Sequence, residues 1–385
     1  SVFEAGGIGH AFYTGFNRDY PALGRPSQVL MHATSTDFVN WEKSQQALTF
    51  VPQEGYDPDD WRDPFVLWDQ ERQEYLLILG TRKRGDKKQL TGRTVQFTSK
   101  DLEHWDFGGD FWAPDIYTMH EMPDLFRIGE WWYLIISEYS DKNKIIYRRS
   151  KSLKGPWTAP ADDAFDGRAY YAGRTFTDGQ RRILFGWVPT KEQNNDLGNY
   201  EWGGTFVAHE VYQRPDGTLG VRVPDTVWRA FSDWKAVSDV KLQTVDSRKE
   251  HILAKDCGVT YSFEATVRFG KGTRSIGLKL LENEETGEAY EYFFPLGEHR
   301  MVFDKTPNMP WYQYMNKGLE RPLPLEAEKE YCLRLIVDDT IATLYIDGVA
   351  LNARMYTRPG NCLSMYVTDG MLEISDAAFS NTLNK

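Results

Sequence analysis

Cysteine is nearly absent from this chain: three residues in 385, Cys257, Cys332 and Cys362, all in the C-terminal third. An odd number without metal-ligand spacing excludes a disulfide framework, and the three read as buried free thiols. Long apolar runs are absent too, and no stretch approaches the ~20 residues of a membrane-spanning helix. Positive charge is in deficit, with 56 Asp and Glu against 45 Lys and Arg and a net charge of −11. Nucleic acid and anionic membrane surfaces both require clustered cations, so neither is expected as a partner. The one basic cluster (Arg82, Lys83, Arg84, Lys87 and Lys88 around Asp86) reads as an exposed hairpin tip. Helical periodicity is also missing. Short apolar-aromatic runs bounded by Gly, Pro, Asp and Asn recur instead, which is an all-β pattern.

Several catalytic signatures are missing as well. His120-Glu121 and His209-Glu210 lack the second histidine of a metalloprotease helix, so no metal is expected. Gly7-Ile8-Gly9 lacks the third glycine and the following helix of a dinucleotide site, and no cofactor is called for. No Gly-x-Ser-x-Gly elbow occurs.

What is present is a repeat. Ser35-Thr36-Asp37-Phe38-Val39-Asn40-Trp41 recurs as Ser99-Lys100-Asp101-Leu102-Glu103-His104-Trp105, and more loosely over Ser150 to Trp157. Strand cores precede the copies at Ala11–Gly15, Tyr75–Leu79 and Tyr133–Ser137. From Tyr13, Tyr75 and Tyr133 to the next tryptophan of the repeat is 28, 30 and 24 residues. A fourth core, Ile183–Trp187, continues the phase without a tryptophan copy. One small sheet per repeat, in phase, is the pattern of propeller blades, of which about four are visible. The texture changes near Phe231. Tyr261, Phe263, Ala265, Val267 and Phe269 alternate with polar residues, and Asp347-Gly348 is a two-residue hairpin signal. The expected division is a propeller over 1–231 and a β-sandwich over 232–385.

Two carboxylates stand out by position. Asp63, in Trp61-Arg62-Asp63-Pro64, leads into the second strand core. Glu121, in His120-Glu121-Met122-Pro123-Asp124, leads into the third. Aligning the cores places both acids at nearly the same point of successive blades, where an inner strand begins. Inner strands line a propeller's channel, so both acids should face one funnel. Two carboxylates across a cleft suit glycosidic cleavage, one protonating the leaving oxygen and the other attacking or stabilising the cationic transition state. Arg62 offers a fixed donor fork for a carboxylate or for sugar hydroxyls.

These segments, together with Tyr170-Tyr171-Ala172-Gly173-Arg174-Thr175-Phe176, Arg181–Trp187 and Trp202-Gly203-Gly204, resemble glycoside hydrolase family 32, the invertases, levanases and inulinases. Leu333–Asp338 and Asn352–Tyr356 resemble that family's trailing sandwich. The resemblance implies a five-bladed propeller followed by a sandwich, cleaving β-fructofuranosyl linkages of sucrose, fructo-oligosaccharide, levan or inulin with retention. It implies Asp63 as transition-state stabiliser and Glu121 as general acid and base. Beside it, the donor fork of Arg62 is expected on the substrate, and of the abundant tyrosines and tryptophans Tyr171 and Trp202 are the ones expected to stack on a sugar face. Arg168, Arg174 and Trp187 read as structural. Met122 stands where the family usually has Cys, and His120 where Trp is common.

The family's nucleophilic aspartate, in an Asn-Asp-Pro-type motif, has no counterpart in this chain. Asp19 follows the Tyr13-Thr14-Gly15 strand and is in the wrong place. The chain opens at Ser1 and reads as strand by Gly9, so the expectation is a missing first blade, supplied by an N-terminal segment or a second chain. The 385 residues alone are then expected to be inactive. Two other readings are an inverting arabinosidase or xylosidase on a related propeller, and a sugar-binding paralogue without a nucleophile.

Overall fold

The computed structural model describes residues 1–44, 51–140, 142–168, 170–310 and 319–384. Four antiparallel meanders follow one another. The first comprises β1 (Val2–Ala5), β2 (Ile8–Phe16), β3 (Gln28–Ser35) and β4 (Glu42–Lys43). The second holds β5 (Tyr56–Asp69), β6 (Glu74–Lys83), β7 (Gly92–Ser99) and β8 (Asp106–Trp112). The third has β9 (Met119–Ile128), β10 (Trp131–Tyr139) and β11 (Ile145–Ser150). The fourth has β12 (Tyr171–Thr177), β13 (Arg182–Lys191), β14 (Tyr200–Gln213) and β15 (Leu219–Arg222). In each sheet the strands lie side by side in chain order, as propeller blades do. The one α-helix among the described residues is Asp225–Trp228.

The repeat read in the sequence is a turn. Ser35 ends β3 and Ser99 ends β7, and each hydroxyl accepts the N–H three residues on, from Phe38 at 2.8 Å and Leu102 at 2.9 Å. Asp37 and Asp101 each accept two further N–H groups, from Val39 and Asn40 and from Glu103 and His104. Those donors hold both carboxyls well below the ordinary range. Phe38 and Leu102 share a positive φ of 59° and 67°. Trp41 and Trp105 immediately precede β4 and β8, so the copies are equivalent in structure.

By contacts the chain gathers into two compact units, Ser1–Ala164 with Ala172–Arg174, and Phe165–Tyr171 with Thr175–Lys385. In the first unit, β6 is covered on both faces. Leu77 and Leu79 pack with Phe12, Leu30, Trp61, Val95 and Phe97, while Leu76 and Ile78 pack with Leu125, Leu134, Ile136 and Ile146. Each such side chain, fully buried, contributes about 1.5–3 kcal/mol. The second and third sheets approach closely at Gly80, where an added Cβ would lie 2.0 Å from the His120 carbonyl oxygen. The basic tip between β6 and β7 is exposed except for Arg82, which is buried and faces Asp57 at 3.5 Å.

The second unit holds the fourth sheet, apart from Ala172–Arg174 of β12, and an eleven-stranded sheet. Change of sheet type near Phe231 and change of contacts at Phe165 are thus different boundaries. Within the larger sheet, strand Cys362–Ser380 pairs with Val240–Ala254 on one edge and with Ser275–Glu282 and then Thr260–Phe269 on the other. Those last two strands each lead into further strands, so the sheet divides into two leaves. Their shared core includes Tyr261, Phe263, Leu278, Tyr292, Leu333, Leu344 and Leu363. The long strand changes leaf near Asp369-Gly370, where φ is positive at both residues and a Cβ on Gly370 would meet Thr273 at 2.4 Å. Asp347-Gly348 makes the expected two-residue hairpin, with Ile346 opposite Val349. Cys257 and Cys362 are buried free thiols. Cys332 is free but exposed, because it sits on the outward face of Glu330–Asp338, contrary to expectation.

Within this unit a buried polar network joins the fourth sheet to the larger one. Asp166 accepts from the Asn352 backbone at 2.7 Å and meets His209 Nε2 at 2.9 Å, while His209 Nδ1 meets the Tyr345 hydroxyl at 2.9 Å.

Candidate active site

Both predicted acids lie at β-bulges. In the second sheet Arg62 is opposite Gly80 and Phe65 opposite Ile78, so Asp63 and Pro64 together face Leu79. In the third, Glu121 is opposite Ser137 and Asp124 opposite Ile135, so Met122 and Pro123 together face Ile136. A bulge re-aims side chains at the end of a strand, and proline is admissible there because one ladder N–H is already lost. The first bulged residue has a positive φ in both cases, 65° at Asp63 and 49° at Met122. The structural equivalent of Asp63 is therefore Met122, and that of Glu121 is Arg62. The expected register of the two acids is corrected by one residue.

That offset decides the pairing. Arg62 does not lie against Asp63 as its charge partner. Its Nε at 2.9 Å and Nη2 at 2.5 Å both donate to Glu121 Oε1. Its Nη1 donates to Asp60 at 2.7 Å and to Gln28 Oε1 at 3.3 Å. Burial works against the charge, yet Glu121 and Asp60 hold the guanidinium above its ordinary pKa. Asp63 is fixed otherwise: its N–H donates to Thr14 Oγ1 at 3.0 Å, and its carboxylate accepts the Met122 N–H at 3.0 Å. The carboxylate at one bulge thus satisfies the backbone of the next.

Arg174 secures both bulges. Its guanidinium donates to the carbonyls of Asp63 at 3.0 Å and Pro64 at 3.2 Å, and to that of Pro123. Burial lowers its pKa, and Asp124 and Asp63 oppose that. On the opposite face of β9 from Glu121, His120 is fully buried. It meets Thr94 Oγ1 at 3.0 Å and stacks on Trp112 with ring centroids 4.8 Å apart. Burial, then Arg93 and Arg148, push its pKa down to about 3.

The aromatic residues form a second cluster, in the second unit. Tyr171, Trp187 and Trp202 meet edge to face, with Tyr171–Trp202 at 5.2 Å and Trp187–Trp202 at 5.5 Å. Trp202 is 64% exposed and Tyr171 only 1%. Trp202 is thus the exposed member of the cluster, and Tyr171 is buried against its ring, contrary to the expectation that both reach a ligand. Arg168 lies over the Tyr200 ring. Among the described residues no group of three or more His, Cys, Asp or Glu is placed to hold a metal ion.

Sequence reasoning brought Arg62, Asp63 and Glu121 together but missed Asp60, Gln28 and Thr14. Asp60 had a signal, the two-residue spacing to Arg62 on one side of a strand. Gln28 and Thr14 had none, because their partners are 34 and 49 residues away.

Residues 1–211 match the family model described as the glycosyl hydrolases family 32 N-terminal domain, and residues 233–381 match the family 32 C-terminal model. Raffinose invertase of Escherichia coli is 25% identical over 98% of this chain and 78% of its own length. Sucrose-6-phosphate hydrolase of Zymomonas mobilis subsp. mobilis is 27% identical, over 46% of this chain and 38% of its own. The solved sucrose-6-phosphate hydrolase from Lactobacillus gasseri shares the fold, with a TM-score of 0.75 at 19% identity, covering all of this chain and 78% of that one.

Proposed function

The chain belongs to the glycosyl hydrolases of family 32, and on that footing we propose that this glycosidase cleaves β-fructofuranosyl linkages with retention of configuration. Its substrates are sucrose, fructo-oligosaccharides, levan or inulin. Glu121 is the general acid and base. Asp63 stabilises the cationic transition state, Trp202 carries a sugar ring, and Arg62 sets the charge of the acid. One observation carries this reading. Two carboxylates stand at successive bulged inner strands, one held by a guanidinium and the other by backbone N–H and hydroxyl groups.

Retention requires, besides the acid and base, a carboxylate that attacks the anomeric carbon and is later released by water, and with Asp63 as stabiliser that is a further residue. We assign that nucleophile to a segment outside these 385 residues, within the part of the relatives that this chain does not match. Residues 1–231 then carry the chemistry and 232–385 support it. In the complete site the attacking carboxyl stands about 5–5.5 Å from that of Glu121.

The test is hydrolysis of sucrose and of an inulin-type oligosaccharide, with the first-formed anomer followed by NMR. β-Fructofuranose as the initial product supports retention, and its α anomer would sink it. Full activity of the homogeneous 385-residue chain would show that the nucleophile lies within it.

A further inference from the structure

A general acid held by arginine faces a conflict. The proton it must donate is disfavoured by every N–H that stabilises its carboxylate. Arg62 spends two donors on Glu121 Oε1, and the whole assembly is largely screened from water, with Arg62 and Asp60 side chains 18% and 14% exposed. What distinguishes this guanidinium is its far edge. Nη1 donates to Asp60 Oδ1 at 2.7 Å and to Gln28 Oε1 at 3.3 Å. Gln28 Oε1 also accepts the Trp61 N–H at 2.8 Å, tying the first sheet to the strand that carries Arg62.

We propose that Asp60 and Gln28 are positioning residues that tune the proton affinity of Glu121 through Arg62. Asp60 supplies a negative charge that offsets the cation, so Glu121 faces a nearly neutral pair and accepts its proton more readily. Gln28 fixes the guanidinium's orientation, so that both near-edge donors meet one oxygen of Glu121. The other titratable or charged groups gathered at this point are Asp63 from β5, Asp124 and the neutral His120 from β9, the Ser1 amino group, which donates to the Pro64 carbonyl, and Arg174, which binds the backbone of both bulges. None of these touches the Nη1 edge of Arg62. The inference rests on Glu121 being the acid and base.

The test uses two near-isosteric substitutions with opposite signs. Asp60→Asn removes a negative charge from the far edge of Arg62 and should move the Glu121 titration down. Gln28→Glu adds one there and should move it up. Each shift should be about 0.5–1 pH unit, since a charge one group removed acts more weakly than a direct partner. Asp60→Glu should restore the wild-type value. Glu121 is followed by carbon-13 NMR of its carboxyl carbon in the intact chain, and in an active preparation by the alkaline limb of kcat. Opposite shifts support the proposal, and a Glu121 titration unmoved in both variants overturns it. Movement of the titration without the rate limb would keep the role of Asp60 and Gln28 and reject Glu121 as the acid. A merely structural role for Asp60 would lower activity at all pH values and move neither.

Discussion

Arg62 and Glu121 occupy the same position of neighbouring sheets, one opposite Gly80 and the other opposite Ser137, and their charges meet at 2.5 Å. Cation and acid are therefore placed by one repeated piece of backbone, the residue just before a bulge closed by proline. The bulges match in register and in positive φ, so the two sheets differ there in their side chains.

Removing the acid and removing the stabiliser should have different signatures. Glu121→Gln should slow sucrose about 10²–10⁴-fold and spare activated aryl fructosides, whose leaving groups need no proton. Asp63→Asn should slow both substrates about equally, because it acts on the sugar's charge. Initial rates on the two substrates check this, and equal losses for Glu121→Gln would reassign the acid.

Gly80→Ala should damage both stability and rate. Its Cβ would overlap the His120 carbonyl at 2.0 Å, and backbone at both ends leaves no flexible atom to yield. Overpacking of this kind costs about 1–3 kcal/mol. A thermal melt should show the loss, and kcat should fall because Glu121 follows His120 on the displaced strand.

Stability should fall on acidification below neutral. The His120 imidazole titrates near 6.5 when unfolded and is pushed down to about 3 in the fold by burial, with Arg93 and Arg148 adding to it. Between those values the unfolded chain binds a proton that the folded chain refuses. Stability is then fully present above pH 6.5 and lost towards pH 3, at about 1.4 kcal/mol per pH unit for this group. His32, pushed down to about 4 by burial and by His10, acts in the same direction. Urea unfolding of His120→Gln at pH 6.5 and pH 4.5 should show a smaller difference than the parent. An equal difference would mean that His120 is not the responsible group.

Asp166→Ala should destabilise the second unit by about 3–5 kcal/mol, because His209 and Asn352 would lose a buried anionic partner. Urea unfolding followed by far-UV circular dichroism measures it. A change under 1 kcal/mol would show that the network contributes little.

The sequence made local features legible. The Ser-x-Asp turn uses hydrogen bonds within three residues, so it was visible as a repeat in spacing alone. Strict alternation from Tyr261 to Phe269 likewise follows from the two-residue period of a half-buried strand. Legibility stopped where a single residue of register mattered. Asp63 and Glu121 both precede a proline-containing step, but Pro64 follows Asp63 directly and Pro123 is two residues beyond Glu121. That difference of one is what the bulge converts into an Arg62–Glu121 pair. Tyr171 was misjudged for a related reason, since exposure depends on neighbours such as Trp187 and Trp202 that are distant in sequence. Arg174 read as structural, and it is the residue that holds the backbone of both acid-bearing bulges.

The strand Cys362–Ser380 sets a schedule for the chain's birth. It is the shared neighbour of Val240–Ala254, Thr260–Phe269 and Ser275–Glu282, yet it follows the first of them by more than a hundred residues. At about 5–20 residues per second on the ribosome, the earlier strands wait about 5–20 seconds for it. During that interval Val240–Ala254 lacks its one strand partner among the described residues, while the sheets before it already have theirs. A nascent chain paused before residue 362 should therefore be the species that chaperones hold and proteases find.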